Sequence, residues 1–120
     1  MQSESGEVIH LLAETDRAKA ERLGGSVWSL ASAELNVNLV QFSRGDGVAR
    51  HTNTEVDVVL IIVEGKGIVE MNGTESVVTV GDLVYVPKGT ARSTRALGET
   101  FTYLTCHRRR AGIMPTRMRR

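Results

Sequence analysis

Four side chains of the kinds that move protons, bind metals or hydrogen-bond ligands occur at every second position near the middle of the chain. They are His51, Asn53, Glu55 and Asp57. Residues two apart in a strand lie on the same face, so this spacing predicts a row of neighbouring polar groups. An imidazole beside a carboxylate can act in proton transfer or hold part of a metal site. This row is therefore the first place to look for a functional site.

An unbroken apolar run follows the polar row, at residues 58–63. Its β-branched side chains favour a strand over a helix. Six successive apolar positions predict a strand that is buried on both faces. A barrel interior covers only one face, and the other needs a second sheet or a second subunit. We therefore expect a homodimer.

The rest of the chain has the pattern of an all-β protein. Short apolar or alternating segments are separated by turns rich in Gly, Pro, Asn and Asp, and Asn72-Gly73 is a strong hairpin signal. Eight or nine short strands at this spacing predict a sandwich or a barrel. Strands are predicted at residues 8–12, 27–30, 35–42, 58–63, 67–71, 75–80, 83–86, 91–96 and 101–108, with a turn at 97–99.

One short helix is predicted near the N-terminus. Thr15 or Asp16 can cap its start, and Gly24-Gly25 would end it after Leu23. The first seven residues are polar and acidic, unlike a signal peptide. No apolar stretch reaches the 18 residues of a membrane span, and the single cysteine, Cys106, fits a reducing compartment. We expect a cytoplasmic protein with no membrane partner.

The charges are unevenly distributed along the 120 residues. Residues 108–120 hold six of the fifteen Lys and Arg and no acid, whereas the rest of the chain carries all fourteen acids. A basic tail can bind nucleic acid, but no aromatic residue lies among these arginines to stack on bases. We expect a solvated tail, or one that pairs with acidic surface of its own or a neighbouring subunit. The predicted organisation is a single domain at residues 1–110 and a basic tail at 111–120.

Two motifs resemble those of the cupin family. The first cupin motif reads Gly, five residues, His-x-His, three or four residues, Glu, six residues, Gly. Gly45 and His51 match it, Asn53 stands at the second His, Asp57 stands at the Glu, and Gly65 comes one residue late. The resemblance implies a double-stranded β-helix, that is, a jelly-roll barrel of two antiparallel sheets, usually homodimeric.

The second cupin motif reads Gly, five residues, Pro-x-Gly, two residues, His. Gly81, Pro87 and Gly89 match it, and Arg92 stands at the His. In metal-binding cupins the three His and the Glu of the two motifs coordinate Fe, Mn, Ni or Zn. Asn is a poor ligand for such metals, and the cationic guanidinium of Arg cannot ligate. The first hypothesis is therefore a pocket without a metal cofactor.

In that hypothesis the pocket binds a small polar or acidic molecule. Arg92 would anchor a carboxylate or phosphate, because its planar fork of donors suits both. His51 and Asn53 would add neutral hydrogen bonds, Asp57 would balance charge or orient His51, and Tyr85 could line the pocket. The alternative without a ligand is a satisfied network of His51, Asp57 and Arg92.

A second hypothesis is a rebuilt divalent metal site in a dioxygenase- or isomerase-like enzyme. Phe101, Tyr103, Thr105 and His107 share one face of the last predicted strand. If that face is inward, His107 could join His51 and Asp57 as metal ligands, with Glu55 as an alternative carboxylate.

A metal-free variant of catalysis would use His51 and Asp57 as an acid–base pair. It would need a tyrosine acid, either Tyr85 or Tyr103.

Overall fold

The computed structural model describes residues 6–109, which form one helix and seven antiparallel strands. The predicted all-β jelly-roll class with a short N-terminal helix is confirmed, although the strand count of eight or nine was too high. The predicted basic tail at 111–120 lies outside the described residues. The elements are α1 Leu11–Ala20, β1 Gly25–Ala31, β2 Leu35–Ser43, β3 His51–Thr52, β4 Val58–Met71, β5 Thr74–Thr79, β6 Leu83–Val86 and β7 Ala91–Arg108.

Two long strands, β4 and β7, organise the barrel. The strand order is β1-β2-β7-β4-β5, with β3 paired to β7 and β6 paired to β4. The first half of β4 pairs with β6 and with the end of β7, whereas its second half pairs with β5 and with the start of β7. Each of these two strands thus contributes one half to each side of the barrel.

The bend in β7 lies where the sequence predicts a turn. Ala96 pairs with Gly67 and Phe101 pairs with Gly65, so residues 97–100 lie opposite Lys66 alone. The predicted turn at 97–99 was therefore wrong, because residues 97–100 form a long bulge within one continuous strand. The bulge is tight against β4, since a Cβ at Gly65 would lie 2.0 Å from the Thr100 carbonyl oxygen.

The N-terminal segment also differs from the prediction. The predicted strand at residues 8–12 was wrong, since α1 begins at Leu11 and ends at Ala20. Thr15 lies inside the helix instead of capping it, and its hydroxyl donates to the Leu11 carbonyl at 2.9 Å. Buried Thr15 and Ala18 form the packed face of α1, which contacts β1, β2 and β4. Within residues 6–109, no helix has the length and apolar character needed to cross a membrane.

The barrel core lies between the inward faces of β4, β6 and the two halves of β7. Its members share nearly complete burial: Val56, Val58, Leu60, Ile62, Val69, Val78, Val84, Val86, Ala96, Phe101 and Tyr103. Gly67 lies directly against the Phe101 ring, where a Cβ would come within 2.4 Å of ring carbon. A glycine is therefore required there by space.

We expect Gly67→Ala to lower the free energy of unfolding by about 1–3 kcal/mol, because the added methyl must displace a buried ring. Gly98→Ala is the matched control, since a Cβ at Gly98 meets its nearest atom at 3.7 Å, and it should change stability by less than ~0.5 kcal/mol. Urea unfolding of the three proteins measures both. Equal stability of the two variants would contradict the contact between Gly67 and Phe101.

The apolar run in β4 is buried on only one face within a single subunit. Val58, Leu60 and Ile62 point into the core, whereas Val59 and Ile61 on the other face are partly exposed, with Ile61 at 37%. The prediction that both faces are buried is therefore not met by one subunit alone. The outer face of this strand is left without a complete cover in the part of the chain that the structure describes.

Candidate functional site

A cavity of about 130 Å³ opens inside the barrel between β2, β3, β4 and β7. Six of its eleven lining residues have apolar or aromatic side chains, and the other five carry nitrogen or oxygen donors. The lining residues are Val40, Val48, His51, Val58, Leu60, Val69, Arg92, Ser93, Thr94, Tyr103 and Thr105. A mostly apolar hollow with a few polar groups is the usual form of a small-molecule site.

His51 and Arg92 stand side by side at this cavity. They are directly opposite each other where β3 pairs with β7, which places their Cβ atoms roughly 5 Å apart. His51 is exposed, whereas the Nη1 atom of Arg92 is buried. The two residues that the sequence predicts from separate motifs are thus brought together, with His51 at the opening and Arg92 deeper.

The His51 ring is held by the backbone, not by a carboxylate. Its Nδ1 lies 2.8 Å from the Ala49 carbonyl oxygen. A carbonyl can only accept, so Nδ1 carries the proton in this arrangement. In the neutral ring Nε2 is then the acceptor.

Two buried hydroxyls form the inner polar part of the cavity. The Thr94 and Tyr103 oxygens are 2.9 Å apart, and the Val48 N–H donates to Thr94 Oγ1 at 3.1 Å. Burial raises the pKa of Tyr103 to about 12, although the Thr94 hydrogen bond and the Arg92 charge act in the opposite direction. Tyr103 is therefore a neutral hydroxyl at any ordinary pH.

Asn53 has a structural position next to the cavity but outside its lining. Its Oδ1 accepts from the backbone N–H groups of Glu55 at 2.8 Å and Val56 at 3.3 Å, which closes a turn before β4. Its own carbonyl accepts from the Gly89 N–H at 2.7 Å. Asn53 is thus buried, at 7% exposure, as a link between the two motif loops.

Asp57 and Tyr85 pair with each other on the outside of the barrel. The Tyr85 hydroxyl donates to Asp57 Oδ2 at 3.2 Å, and the Lys88 N–H donates to Oδ1 at 2.8 Å. The negative charge of Asp57 raises the pKa of Tyr85. Since Val56 and Val58 are both buried, the residue between them faces away from the core. Asp57 therefore does not orient His51, and neither Asp57 nor Tyr85 lines the cavity.

The proposed metal ligands are not brought together either. His107 follows Thr105 on the inward face of β7 but does not line the cavity, and its Nδ1 donates to the Arg108 carbonyl at 2.8 Å. Glu55 is exposed in the turn that Asn53 closes. Among residues 6–109, no three His, Cys, Asp or Glu side chains are grouped to hold a metal ion.

The four positions that correspond to the metal ligands of cupins do not fit a divalent metal. His51 alone presents a ring nitrogen, Asn53 uses its oxygen on two backbone N–H groups, and Asp57 faces outward. Arg92 adds a positive charge at the cavity, which repels a cation. Within residues 6–109, His51 and Asp57 have separate hydrogen-bond partners, so the acid–base pair of metal-free catalysis is not formed.

Sequence reasoning missed several residues that line the cavity. Thr94 was not singled out, although it lies two residues beyond Arg92 on the same strand and therefore on the same face. Val48 was not singled out either. The face of β7 that carries Tyr103 and Thr105 is inward, as the alternation allowed. Because the cavity is formed by segments that are distant in sequence, strand alternation was the signal available for its lining residues.

Comparison with solved structures shows the same fold in several proteins of low identity. A Bacillus halodurans protein has a TM-score of 0.76 and 20% identity, covering 87% of this chain and 81% of that chain. The protein KdgF of a Halomonas species has a TM-score of 0.66 and 24% identity, covering 72% and 81%. A protein described as a predicted oxalate decarboxylase, from Thermotoga maritima, has a TM-score of 0.62 and 17% identity, covering 67% and 76%.

Identities this low carry the fold and no more. No curated protein matches the sequence. The family model described as the cupin domain matches residues 38–106, which is more than half of the chain and includes both motifs and the cavity. The chain therefore belongs to the cupin-domain family.

Proposed function

We propose that this cupin binds a small organic anion in the barrel cavity, with Arg92 as its anchor and without a metal. The observation that carries the proposal is the placement of Arg92 beside His51 in an otherwise mainly apolar hollow. A guanidinium can form two parallel charge-assisted hydrogen bonds to a carboxylate.

The size and lining of the cavity favour a compact ligand with an apolar body. A cavity on the order of 150 Å³ accepts a molecule the size of benzene, and this one has about 130 Å³ with an open side at His51. Val40, Leu60 and Val69 would contact the body of the ligand. Sugar phosphates are too polar for that part of the lining, so a short branched carboxylic acid fits better.

His51 would assist Arg92 at the opening. Its Nδ1–H is held by the Ala49 carbonyl, which fixes the ring at the edge of the anion site. The carboxylate would lie against Arg92, and the apolar body would lie against Val40, Leu60 and Val69.

The test uses two probes of nearly the same shape, 4-methylpentanoate and 4-methylpentan-1-ol. We expect the acid, at about ten times its Kd, to raise the melting temperature by roughly 4 °C, because binding to the folded state alone stabilises it. The neutral alcohol should give less than a quarter of that shift, since it offers Arg92 no charge. Equal shifts for the two probes, or none for either, would refute an anion site of this kind.

Beyond the ligand, we propose a homodimer and a cytoplasmic location. The outer face of β4, with exposed Ile61 beside exposed Leu83 of β6, supports the homodimer. The single cysteine supports a reducing compartment. Residues 1–110 would form the cupin domain and 111–120 its basic tail.

A further inference from the structure

We infer that the preferred ligand is a short monocarboxylic acid carrying an oxo group, which accepts a hydrogen bond from the Thr94–Tyr103 hydroxyl pair. The inference rests on the proposed anion site and adds a second recognition point to it. Both hydroxyls line the cavity and both residues are buried, at 7% and 2% exposure.

The Thr94–Tyr103 pair has one more hydroxyl proton than the hydrogen bond between the two residues uses. The two hydroxyls carry two protons, and one of them is used in the 2.9 Å bond between them. The Val48 N–H already donates to Thr94 Oγ1, so that contact consumes an acceptor and no proton. Whichever hydroxyl donates to the other, the contacts among residues 6–109 leave one O–H as a donor at the cavity.

The remaining proton calls for an acceptor on the ligand. A hydrophobic ligand body alone would leave this buried O–H without an acceptor, which costs free energy. A carbonyl oxygen accepts without bringing a proton of its own, whereas a ligand hydroxyl would need a further acceptor. An oxo group satisfies the pair with the least additional requirement.

The spacing along β7 fits an oxo group close to the carboxylate. Arg92 and Thr94 are two residues apart on the same face of the strand, which separates their Cα atoms by roughly 7 Å. Arg92 lines the same cavity as the hydroxyl pair, and its charge acts on Tyr103. One small molecule can therefore meet the guanidinium with its carboxylate and the hydroxyl pair with a nearby carbonyl.

The ligand class implied is a branched 2-oxo acid of about nine non-hydrogen atoms or fewer, a size consistent with a benzene-scale cavity that is open on one side. Dicarboxylic acids should bind poorly, because the lining offers one cationic side chain, Arg92, and a second carboxylate would lie against Val40, Leu60 or Val69.

Calorimetric titration of the full chain with three probes tests the inference. They are 4-methyl-2-oxopentanoate, 4-methylpentanoate, which lacks only the oxo group, and 2-oxoglutarate, which adds a second carboxylate. We expect the oxo acid to bind about five-fold or more tightly than 4-methylpentanoate, the effect of one additional neutral hydrogen bond. We expect 2-oxoglutarate to bind more weakly than either.

The double variant Thr94→Val/Tyr103→Phe removes both hydroxyls with little change in shape. In it the five-fold preference should fall to parity or reverse, while 4-methylpentanoate keeps its affinity within about three-fold. Tyr85→Phe is the control, since it removes a hydroxyl on the outside of the barrel, and it should keep the preference. If the double variant does not fold, the wild-type preference for the oxo acid over 4-methylpentanoate decides.

The outcomes separate this inference from the function on which it rests. Equal binding of 4-methylpentanoate and its oxo analogue would overturn the inference and leave the anion site standing. A preference that survives loss of both hydroxyls would overturn the assignment to Thr94 and Tyr103. Failure of both acids to bind wild-type protein would overturn the anion site and the inference together.

Discussion

Replacing Arg92 by alanine is expected to weaken the binding of 4-methylpentanoate by about 100-fold or more. Charge-assisted hydrogen bonds contribute roughly 1.5–3 kcal/mol each, and a guanidinium can make two of them to one carboxylate. The buried position of Arg92 Nη1 strengthens such contacts, because water screens them poorly there. Calorimetric titration of wild-type and variant protein measures the loss.

Arg92→Lys separates charge from geometry. Lysine keeps the positive charge but cannot reproduce the planar fork, so we expect an intermediate loss of about ten-fold. Arg95→Ala is the matched control on the same strand, because Arg95 is on the opposite face, 49% exposed and 3.9 Å from Glu75. Its binding should stay within about two-fold of wild type, as expected for an exposed pair. Unchanged binding in Arg92→Ala would remove Arg92 as the anchor.

The parts of the fold that were predictable from sequence are those set by local chemistry. The strands predicted at residues 35–42 and 83–86 are found as β2 and β6, and the Asn72-Gly73 hairpin joins β4 to β5. Asn72 and Gly73 both have positive φ, at 50° and 90°, which is the backbone that this dipeptide favours. Each of these signals needs only a few adjacent residues.

The errors at residues 8–12 and 97–99 depend on distant contacts. The apolar residues 8–12 have no period long enough to separate strand from helix, and α1 is held instead by packing on β1, β2 and β4 and by Lys19, which contacts Glu64 at 2.7 Å. Gly98 and its neighbours have the composition of a turn. They form a bulge because β4 continues to pair with β7 on either side of it.

The site likewise contains residues that the sequence predicts correctly and residues that it misplaces. His51 and Arg92 were predictable as site residues because they stand at ligand positions of the two cupin motifs. The β3–β7 pairing brings them together. Asp57 was placed in the pocket by its position in the motif, but strand alternation before buried Val58 turns it outward. Asn53 was read as a ligand-binding amide, whereas its oxygen closes a turn. Composition alone does not distinguish an amide that binds a ligand from one that binds backbone.

The outer face of the sheet formed by β1, β2, β7, β4 and β6 carries two rows of mainly apolar side chains. Ile61 lies opposite Leu104 on one side and Leu83 on the other, and Val59 lies between Cys106 and Tyr85. The pairing continues each row through β2 into β1, where the further side chains are Val37, Leu30, Leu39 and Trp28. These rows form an apolar surface, on which Leu39 is already fully buried, whereas Ile61 and Leu83 are exposed.

A second copy of the chain is the occupant that best suits this surface. A two-fold interface brings the same patch of both subunits together, so the apolar patch of one subunit meets the identical apolar patch of the other. Covering Ile61 and Leu83 would complete the burial that the six apolar residues at 58–63 predict. We therefore expect light scattering after size exclusion to give twice the 13.1 kDa chain mass.

Ile61→Glu should raise the dimer dissociation constant by about 100-fold or more and give a 13.1 kDa species at micromolar concentration. The symmetry places the new carboxylate at the interface twice, and an unpaired buried charge costs several kcal/mol. Leu83→Glu should act similarly, and it keeps the test decisive if Ile61→Glu loses its fold, because Leu83 is 61% exposed in one subunit.

Val77→Glu is the control for the introduced charge. Val77 is 63% exposed on β5, a strand outside the five that form the apolar surface, so its variant should remain dimeric. Wild-type protein that is monomeric at high micromolar concentration would contradict the dimer outright. A dimer that resists both Ile61→Glu and Leu83→Glu would show that the subunits meet elsewhere, because two charges facing their symmetry copies could not be accommodated in a closed apolar interface.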